Sequence, residues 1–395
     1  MPLAVPFWDI GTYRAIGRSL LSRSVVHGPD LGRLRSLLIE RLGVAEAILC
    51  SSGSLALEIA LRACEVRPGD EVVIPTFCCT AIVSPILAVG VIPVFADVGA
   101  ELNITAESLD AVLTKKTKAI IVPHLFGNPA DIDAIIDLTR DRKIRIIDDA
   151  AQALGATIAG QPVGSLGDAG IISFGSEKVC SGIGGGAVVY RSKEAFKEYS
   201  QADLLPPAFS PTLKSFLDTM IWRRWRRWTL PLSKALSNSA DVSPDLPPKP
   251  YRKEIMANLQ AAVAATLMQT LHENLAARRA RVQAYRELLG TEQALTLIPH
   301  RPGSACLTQV VRVPAQGHRD ELSTGVVETL ARAGYEIQGS YLPIHLLPYY
   351  ERWRRQALPY AEKVWSDLIE LPCEPDVKLD QVESIAAIIK RAINT

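Results

Sequence analysis

A lysine and an aspartate are the residues of this chain whose types and spacing most clearly suggest chemistry. Lys178 ends the stretch Ser173-Phe-Gly-Ser-Glu-Lys178, and a glycine-rich run from Gly182 to Gly186 follows it. Asp149 lies 29 residues before the lysine, just after Ile-Arg-Ile-Ile, an apolar run that is typical of a buried strand. A neutral lysine amine forms a Schiff base with an aldehyde, and desolvation lowers the pKa of a lysine toward that form. A carboxylate at the end of a buried strand can keep an aromatic ring nitrogen protonated.

A small polar turn before a helix offers a third group. Cys50-Ser-Ser-Gly-Ser54 precedes a helical pattern that runs from Leu55 to Cys64. Free N–H groups and the helix dipole bind anions such as phosphate at a helix start; Gly53 lies in this turn and Ser54 is the expected N-cap. Ser173 could offer its hydroxyl to the same phosphate. An aldehyde, a ring nitrogen and a phosphate together describe pyridoxal 5′-phosphate (PLP), whose ring hydroxyl Gln152 could reach.

Each of these features also has an ordinary explanation. A lysine is usually a solvated surface charge, two aspartates after a strand often form a polar loop, and Ser-Gly-Ser is often only a helix cap. Their order and spacing within one chain favour the cofactor.

Further motifs along the chain resemble those of one protein family, the DegT/DnrJ/EryC1/StrS group of PLP-dependent sugar aminotransferases, which has the aspartate-aminotransferase fold. The resemblance runs along most of the chain, is densest over residues 50–190 and returns weakly at 259–262 and 341–345. Its motifs are Ser-Gly-Ser at 52–54, Pro-Gly-Asp-Glu-Val at 68–72, Pro-Val-Phe-Ala-Asp at 93–97, His-Leu-Phe-Gly at 124–127, Asp-Asp-Ala-Ala-Gln at 148–152, Ser-Phe at 173–174 with Lys178, and Gly-Gly-Gly at 184–186.

The resemblance implies a role for each matching residue. Lys178 matches the lysine that bonds to PLP, Asp149 the partner of the pyridine nitrogen, and Gln152 the contact of the ring hydroxyl. Three small residues match the phosphate ligands: Gly53, Ser54 and Ser173. Tyr341 and His345 resemble a segment near the substrate cleft. The implied reaction moves an amino group from an amino acid, glutamate, to a keto sugar that is linked to a nucleotide, and the implied assembly is a homodimer.

Composition and charge limit the other functions that the chain could have. The chain has 395 residues, of which 48% are hydrophobic, and its formal net charge of +1 implies no bulk attraction to nucleic acid. Seven cysteines without a Cys-x-x-Cys pair argue against a disulfide framework and a zinc ribbon, so no metal is expected. The N-terminus does not read as a signal peptide, and the most apolar stretch, 81–96, contains two prolines and is too short to span a membrane. A cytoplasmic enzyme is the expectation.

The hydrophobic pattern predicts an α/β protein. Short apolar runs that predict strands lie at 47–50, 72–74, 91–96, 119–123, 144–148, 169–174 and 187–190. Helical patterns fall between most of them, so we expect βαβ units, a mostly parallel seven-stranded sheet and ligands at the carboxyl ends of its strands. With the resemblance, this predicts a type I PLP-dependent transferase fold. A large PLP-binding domain would cover residues 1–250 and a smaller C-terminal α+β domain residues 251–395. The second domain would open on one long helix, 257–289, and close on another, 379–393.

Two positions depart from the family pattern. Where the family commonly has an aromatic residue stacked on the PLP ring, this chain has Cys79, so either its sulfur or the ring of Phe77 could fill that place. The family usually has an Asn-Tyr-Arg-type segment just before Leu-Gln-Ala-Ala, in which an asparagine of one subunit reaches the phosphate of the other. Here residues 251–258 read Tyr-Arg-Lys-Glu-Ile-Met-Ala-Asn, the asparagine is not in that place, and Arg252 or Lys253 could replace it as a cation. His124 could contact the site or be an ordinary core histidine.

Residues 200–250 form an atypical insertion rich in proline, tryptophan and arginine. Within it, Trp222, Trp225 and Trp228 recur every three residues, with arginines between them. A basic helix with a tryptophan face is typical of interfacial membrane helices, so residues 216–232 could contact a membrane and a lipid-linked acceptor. The same face could instead pack against a partner subunit.

Three other functions would need residues different from those of this chain. A sugar dehydratase of this fold replaces the lysine with histidine, whereas this chain has Lys178. A dinucleotide-binding oxidoreductase would have its glycine motif before a helix, but Gly182–Gly186 precedes a strand-like run. A regulator that only binds PLP would be expected to have an added DNA-binding segment, and none is recognisable in the sequence.

Overall fold

The computed structural model describes residues 6–192, 204–224, 250–313 and 321–394. Its central element is a seven-stranded sheet with the strand order β1-β9-β8-β5-β4-β2-β3. Strands β2, β3, β4, β5 and β8 pair in parallel, and β9 joins β8 and β1 in antiparallel fashion. The strands are β1 (Glu46–Cys50), β2 (Glu71–Pro75), β3 (Ile92–Ala96), β4 (Thr117–Pro123), β5 (Arg145–Asp149), β8 (Ala169–Ser173) and β9 (Gly186–Tyr190). The prediction of a mostly parallel seven-stranded sheet is therefore confirmed.

Helices cover both faces of this sheet, because its strands are apolar on both sides. Along β4, for example, Ile120 and Val122 belong to one buried apolar cluster, while Ala119 and Ile121 belong to another. The helices of residues 6–224 are α1 (Ile10–Leu21), α2 (Asp30–Leu42), α3 (Gly53–Ala63), α4 (Val83–Ala88), α5 (Ala106–Asp110), α6 (Ile132–Thr139) and α7 (Phe209–Asp218), which runs into a π-helical turn, Thr219–Arg224. A short hairpin joins β6 (Thr157–Ile158) and β7 (Gln161–Pro162).

The C-terminal part contains a second, antiparallel sheet. Its four strands, in the order β10-β11-β13-β12, are β10 (Thr296–Leu297), β11 (Thr308–Arg312), β12 (Gln338–Gly339) and β13 (Leu368–Pro372). The helices of this part are α8 (Asn258–Gln269), α9 (Leu271–Leu289), α10 (Glu321–Arg332), α11 (Pro359–Val364) and α12 (Leu379–Ile393). One face of this sheet packs against α9 and α12 in a separate apolar cluster. The other face, which includes Val310 and Leu368, packs in the apolar cluster that contains Phe77.

The single long helix predicted over 257–289 is wrong in one respect. The helical path breaks at Thr270, whose φ of −99° and ψ of 17° are not helical, and two helices result. The sequence gives little warning, since no glycine or proline marks the break. The closing helix is confirmed. Helix α2 ends at Gly43, which has a left-handed conformation with φ of 64°.

In the described ranges of the chain, no helix is both long enough and apolar enough to cross a membrane. Trp225 and Trp228, and residues 225–232 of the proposed membrane-contacting stretch, lie outside the described residues. The division at residue 250 likewise stays a prediction.

Candidate active site

A pocket of about 260 Å³ opens at the carboxyl edge of the large sheet. The ends of β5 and β8 and the start of α3 meet there, as expected for ligand sites in parallel sheets. The sequence-predicted cofactor residues line it together: Gly53, Ser54, Asp149, Gln152, Ser173 and Lys178. Residues separated by more than a hundred positions in the chain therefore share one cavity.

Asp148 and Asp149 end the same strand but have different surroundings. Asp148 is fully buried: one oxygen accepts from His124 Nε2 at 2.6 Å, and the other accepts from the backbone N–H groups of Gly164 and Leu166. Asp149 lines the pocket, and its Oδ1 accepts from Ala151 N at 3.0 Å. Strand alternation explains the contrast, because consecutive side chains point to opposite sides.

The charge state of Asp149 depends on opposing effects. Burial raises the pKa of Asp149, while the Ala151 N–H and the positive charge of Lys178 lower it. Among the described residues, its Oδ2 has no hydrogen-bond partner, so one carboxylate oxygen remains available to a cationic group in the pocket.

The start of α3 and the end of β8 form a close-fitting cradle. Ser52, not Ser54, is the N-cap: its side chain accepts from Leu55 N at 3.1 Å, and the helix begins at Gly53. The prediction of Ser54 as the cap is therefore wrong, because three small polar residues in a row leave the first helical residue ambiguous. A Cβ at position 53 would lie 3.1 Å from Cβ and Oγ of Ser173, so only glycine leaves this space open. The first turn of a helix has N–H groups without partners inside the helix, which suits a phosphate here.

His124 is a satisfied core histidine that also forms part of the pocket wall. Its Nδ1 accepts from Ala130 N at 2.8 Å, so its Nε2 carries the proton and donates to Asp148. Its backbone N–H also donates to the carbonyl of Asp149. The histidine thereby holds the strand end that presents Asp149.

Gln152 connects the pocket to a layer of aromatic rings. Its Oε1 accepts from Phe126 N at 2.9 Å, and its Nε2 donates to Tyr341 Oη at 3.0 Å. Tyr341 stacks on Phe126 with ring centroids 5.9 Å apart and meets the edge of Phe77. Tyr341 is thus held next to the predicted cofactor residues, although it is not itself on the pocket wall. Phe77 is buried in this layer, whereas Cys79 lines the pocket.

His345 is placed differently from the other predicted residues. It is fully buried, its Nδ1 is hydrogen-bonded to Thr76 Oγ1, and its Nε2 contacts Glu362 Oε1 at 3.0 Å. It does not line the pocket, and a contact with substrate stays a prediction. The pKa of His345 is lowered by burial, against the opposing effect of Glu362.

Arg252 and Lys253, the two cations predicted as replacements for the family's asparagine, both have partners. Lys253 Nζ contacts Glu58 at 2.7 Å, and Tyr251 donates to the same carboxylate at 2.6 Å. Arg252 pairs with Glu254 at 3.3 Å. Lys253 therefore anchors its chain segment to α3, a role that the sequence did not suggest.

Comparison with known proteins agrees with this geometry. A family model described as the DegT/DnrJ/EryC1/StrS aminotransferase family matches residues 12–206 and 248–390. The chain belongs to this aminotransferase family. The resemblance inferred from the motifs is confirmed, and this aminotransferase, like its family, depends on PLP.

Relatives of this aminotransferase match it along nearly its whole length. It is 30% identical to a UDP-N-acetyl-3-dehydro-α-D-glucosamine 3-aminotransferase of Acidithiobacillus ferrooxidans, over 99% of this chain and 98% of the relative. It is 29% identical to a GDP-perosamine synthase of Vibrio cholerae, over 93% and 92% of the two chains. The fold matches the aminotransferase TlmJ from Streptoalloteichus hindustanus with a TM-score of 0.80 at 24% identity, covering 100% and 99% of the two chains. The type I fold is therefore confirmed.

Proposed function

We propose that this aminotransferase moves an amino group from glutamate to the ketone of a nucleotide-linked sugar. The observation that carries the proposal is the meeting of Lys178, Asp149 and the start of α3 in one pocket at the carboxyl edge of the sheet. These three provide an amine, a carboxylate and an anion site, which are the groups that PLP needs. The names of the relatives above give a UDP-linked sugar as substrate and a GDP-linked sugar as product, which supports a nucleotide-linked acceptor.

The residues of the pocket fit PLP by their chemistry. Asp149 Oδ2 would accept from the protonated ring nitrogen, and that cation would in turn favour the ionised carboxylate against the effect of burial. Gly53, Ser54 and Ser173 would hold the phosphate between the start of α3 and the end of β8. Cys79 is the candidate for contact with a face of the ring, since Phe77 is engaged with Phe126 and Tyr341.

Bound PLP supplies an aldehyde that condenses with a primary amine, with loss of water, and a protonated ring that withdraws electrons from the neighbouring carbon. Lys178 has two tasks in this scheme. Its amine would bond to the aldehyde and so hold the cofactor while no substrate is bound. With the amine of the donor in that place, the free Nζ would hold and move the proton of the donor α-carbon. It would do the same for the carbon that carries the ketone of the sugar.

The groups around Lys178 would orient the cofactor. Gln152 Oε1 accepts from Phe126 N and one N–H of its Nε2 donates to Tyr341 Oη, so the direction of its amide is fixed and its second N–H would be the donor to the ring hydroxyl. Tyr341 stacks on Phe126 behind the pocket wall and supports Gln152 from there. Tyr341 and His345 are retained as candidate substrate contacts, with Tyr341 the better placed.

The donor and the acceptor each have a specific alternative. Another relative, 36% identical over 50% of each chain, is an L-glutamine:2-deoxy-scyllo-inosose aminotransferase of Streptomyces lividus. Its name gives glutamine as donor and a free cyclic ketone as acceptor. A sugar dehydratase is disfavoured because Lys178 is present where such enzymes have histidine.

We further propose a cytoplasmic homodimer. Large apolar side chains are exposed on α1 and near α7, among them Leu21 (88% exposed), Leu205 (64%) and Phe209 (55%). Such side chains suit a surface that is covered in an assembly. A membrane contact of 216–232 is the competing use of the α7 surface. All seven cysteines are free thiols, which suits a reducing compartment.

Absorbance spectroscopy tests the proposal. The purified holoenzyme should have a visible band from the lysine-bound cofactor, and glutamate should bleach it in single turnover. Addition of a matching keto sugar should restore the band. If glutamine bleaches the band and glutamate does not, the donor is glutamine. Bleaching by neither amino acid would contradict the proposed amino transfer.

A further inference from the structure

The loop that carries Lys178 has no regular structure. It connects β8 to β9 through residues 174–185, and Gly184 and Gly185 adopt φ values of 104° and 103°. Glycines give a loop conformational freedom. Its internal backbone hydrogen bonds, such as Lys178 N to Gly175 O at 3.1 Å and Gly184 N to Phe174 O at 3.2 Å, shape the loop but do not tie it to other elements. Contacts with the rest of the protein must therefore fix where the loop lies.

Three alternate carbonyls of this loop each accept from a distant side chain. Asn274 Nδ2 donates to Val179 O at 3.2 Å, Trp8 Nε1 donates to Ser181 O at 2.6 Å, and Gln260 Nε2 donates to Ile183 O at 3.5 Å. The donors come from α9, the N-terminal segment and α8. Trp8, Gln260 and Asn274 are all buried. We call these three donors the loop clamp.

Asn274 is itself held by a buried arginine. Its Oδ1 accepts from Arg278 Nε at 2.8 Å, and Arg278 NH1 donates to Leu307 O at 2.8 Å. Arg278 is 1% exposed, and no carboxylate pairs with it within hydrogen-bond distance among the described residues. Because the guanidinium occupies the amide oxygen, the NH₂ of Asn274 must face Val179, the residue next to Lys178. Leu307 N donates in turn to Phe126 O, so the network reaches the pocket wall that holds Gln152.

We propose that the loop clamp, with Asn274 as its central member, positions Lys178 for its bond to the cofactor. The proposal rests on the proposed function, because it assigns a purpose to holding this lysine. The clamp orders the glycine-rich loop before the cofactor arrives. Without the clamp, the loop becomes ordered only when Lys178 bonds to the cofactor, so the entropy cost of ordering the loop weakens that bond-forming step. None of the three donors lines the pocket, so they are positioning residues and not catalytic ones.

Asn274→Asp isolates this effect. The aspartate keeps an acceptor for Arg278 but has no N–H for Val179 O, and its charge repels that carbonyl. Trp8→Phe is a second variant, which loses the donor to Ser181 O on a different element. Arg279→Met is the matched control, because Arg279 is the next residue on α9 and also donates to a carbonyl, that of Ser304 at 3.0 Å, without touching the clamp.

The measurement compares the affinity of apo-protein for two ligands by fluorescence titration. PLP can bond to Lys178, whereas pyridoxamine phosphate has an amine in place of the aldehyde and cannot. Asn274→Asp and Trp8→Phe should weaken PLP binding roughly ten-fold, the scale of one lost buried hydrogen bond. Pyridoxamine phosphate binding should change by less than about two-fold on the same scale. Arg279→Met should leave both affinities as in the wild type.

Three results would overturn the proposal. Equal weakening of both ligands in the clamp variants would mean that they damage the pocket in general. Unchanged affinity for both would mean that the clamp does not act on Lys178. If Arg279→Met weakened PLP binding alone as much as Asn274→Asp does, the effect would not be specific to the loop clamp. A wild-type protein without a visible PLP band would instead contradict the proposed role of Lys178.

Discussion

Glu370 provides a prediction whose magnitude follows from the structure. It lies on β13, on the same face as Leu368 and opposite Val310 of the neighbouring strand. This face packs in the apolar cluster that also covers one side of the large sheet. Glu370 is 8% exposed, and among the described residues its carboxylate accepts one hydrogen bond, from Ser340 Oγ at 3.1 Å. Burial raises the pKa of Glu370 to about 7 from an ordinary 4.5, against the opposing effects of Ser340 and Lys178.

Replacement by glutamine removes this titration and keeps the shape of the side chain. Between pH 4.5 and 7 the folded protein keeps a proton that the unfolded chain has lost, so rising pH favours unfolding of the wild type. A shift of about 2.5 units, at about 1.4 kcal/mol per unit, corresponds to about 3 kcal/mol over the full range. Most of this difference, roughly 2–3 kcal/mol, falls between pH 5 and pH 8.

Urea unfolding at pH 5 and pH 8 tests this reasoning. Glu370→Gln should gain stability over the wild type as pH rises, and its urea midpoint should exceed the wild-type midpoint most clearly at pH 8. Glu351→Gln, at an exposed carboxyl, is the control and should track the wild type. Wild-type and Glu370→Gln midpoints that change in parallel between the two pH values would refute the argument that burial of this carboxyl costs stability.

Three further predictions concern packing, ion pairing and the tryptophan-rich stretch. Gly127→Ala should lower stability by about 3 kcal/mol in urea unfolding, since φ is 78° and a Cβ would lie 2.6 Å from the backbone of residue 307, whereas Gly160→Ala, with a similar φ and open space, should cost only about 1 kcal/mol. Lys253→Met should lower stability by about 1 kcal/mol at pH 7, because Lys253 helps to stabilise the ionised Glu58. Burial raises the pKa of Glu58, but its hydrogen bonds with Lys253, Tyr251 and Arg62 outweigh this effect and lower the pKa overall. This contribution is present above pH 4.5 and disappears below it, so wild type and variant should converge in acid and a constant difference would contradict the pairing. If residues 216–232 contact a membrane, the wild type should pellet with anionic liposomes, and a variant with Trp222, Trp225 and Trp228 replaced by alanine should not. Equal, negligible pelleting of both proteins excludes the contact.

The large sheet could be predicted from sequence because its signals are local. Each of its seven strands is a short apolar run between turn residues, and each run lies within a few residues of the strand in the structure. The placement of Asp149, Ser173 and Lys178 at one edge then followed from the geometry of parallel sheets. Motif order supplied the cofactor, which neither periodicity nor composition could give.

The features that the sequence could not reveal depend on distant contacts. Trp8 donates to a loop residue 173 positions away, and nothing near it in the sequence marks it as more than a core tryptophan. Asn274 and Arg278 look like polar residues on a helix until the fold buries them. The break at Thr270 and the N-cap at Ser52 were missed for another reason, since several neighbouring residues are compatible with each boundary.

Borohydride reduction of the holoenzyme followed by peptide mass spectrometry tests the central claim most directly. Reduction makes the bond between a lysine and PLP permanent, so the modified peptide identifies the lysine that holds the cofactor. We expect the pyridoxyl mass on the peptide that contains Lys178, and no modified peptide from Lys178→Ala treated in the same way. A pyridoxyl group on a different lysine, or an unmodified Lys178 peptide from a protein saturated with PLP, would contradict the account.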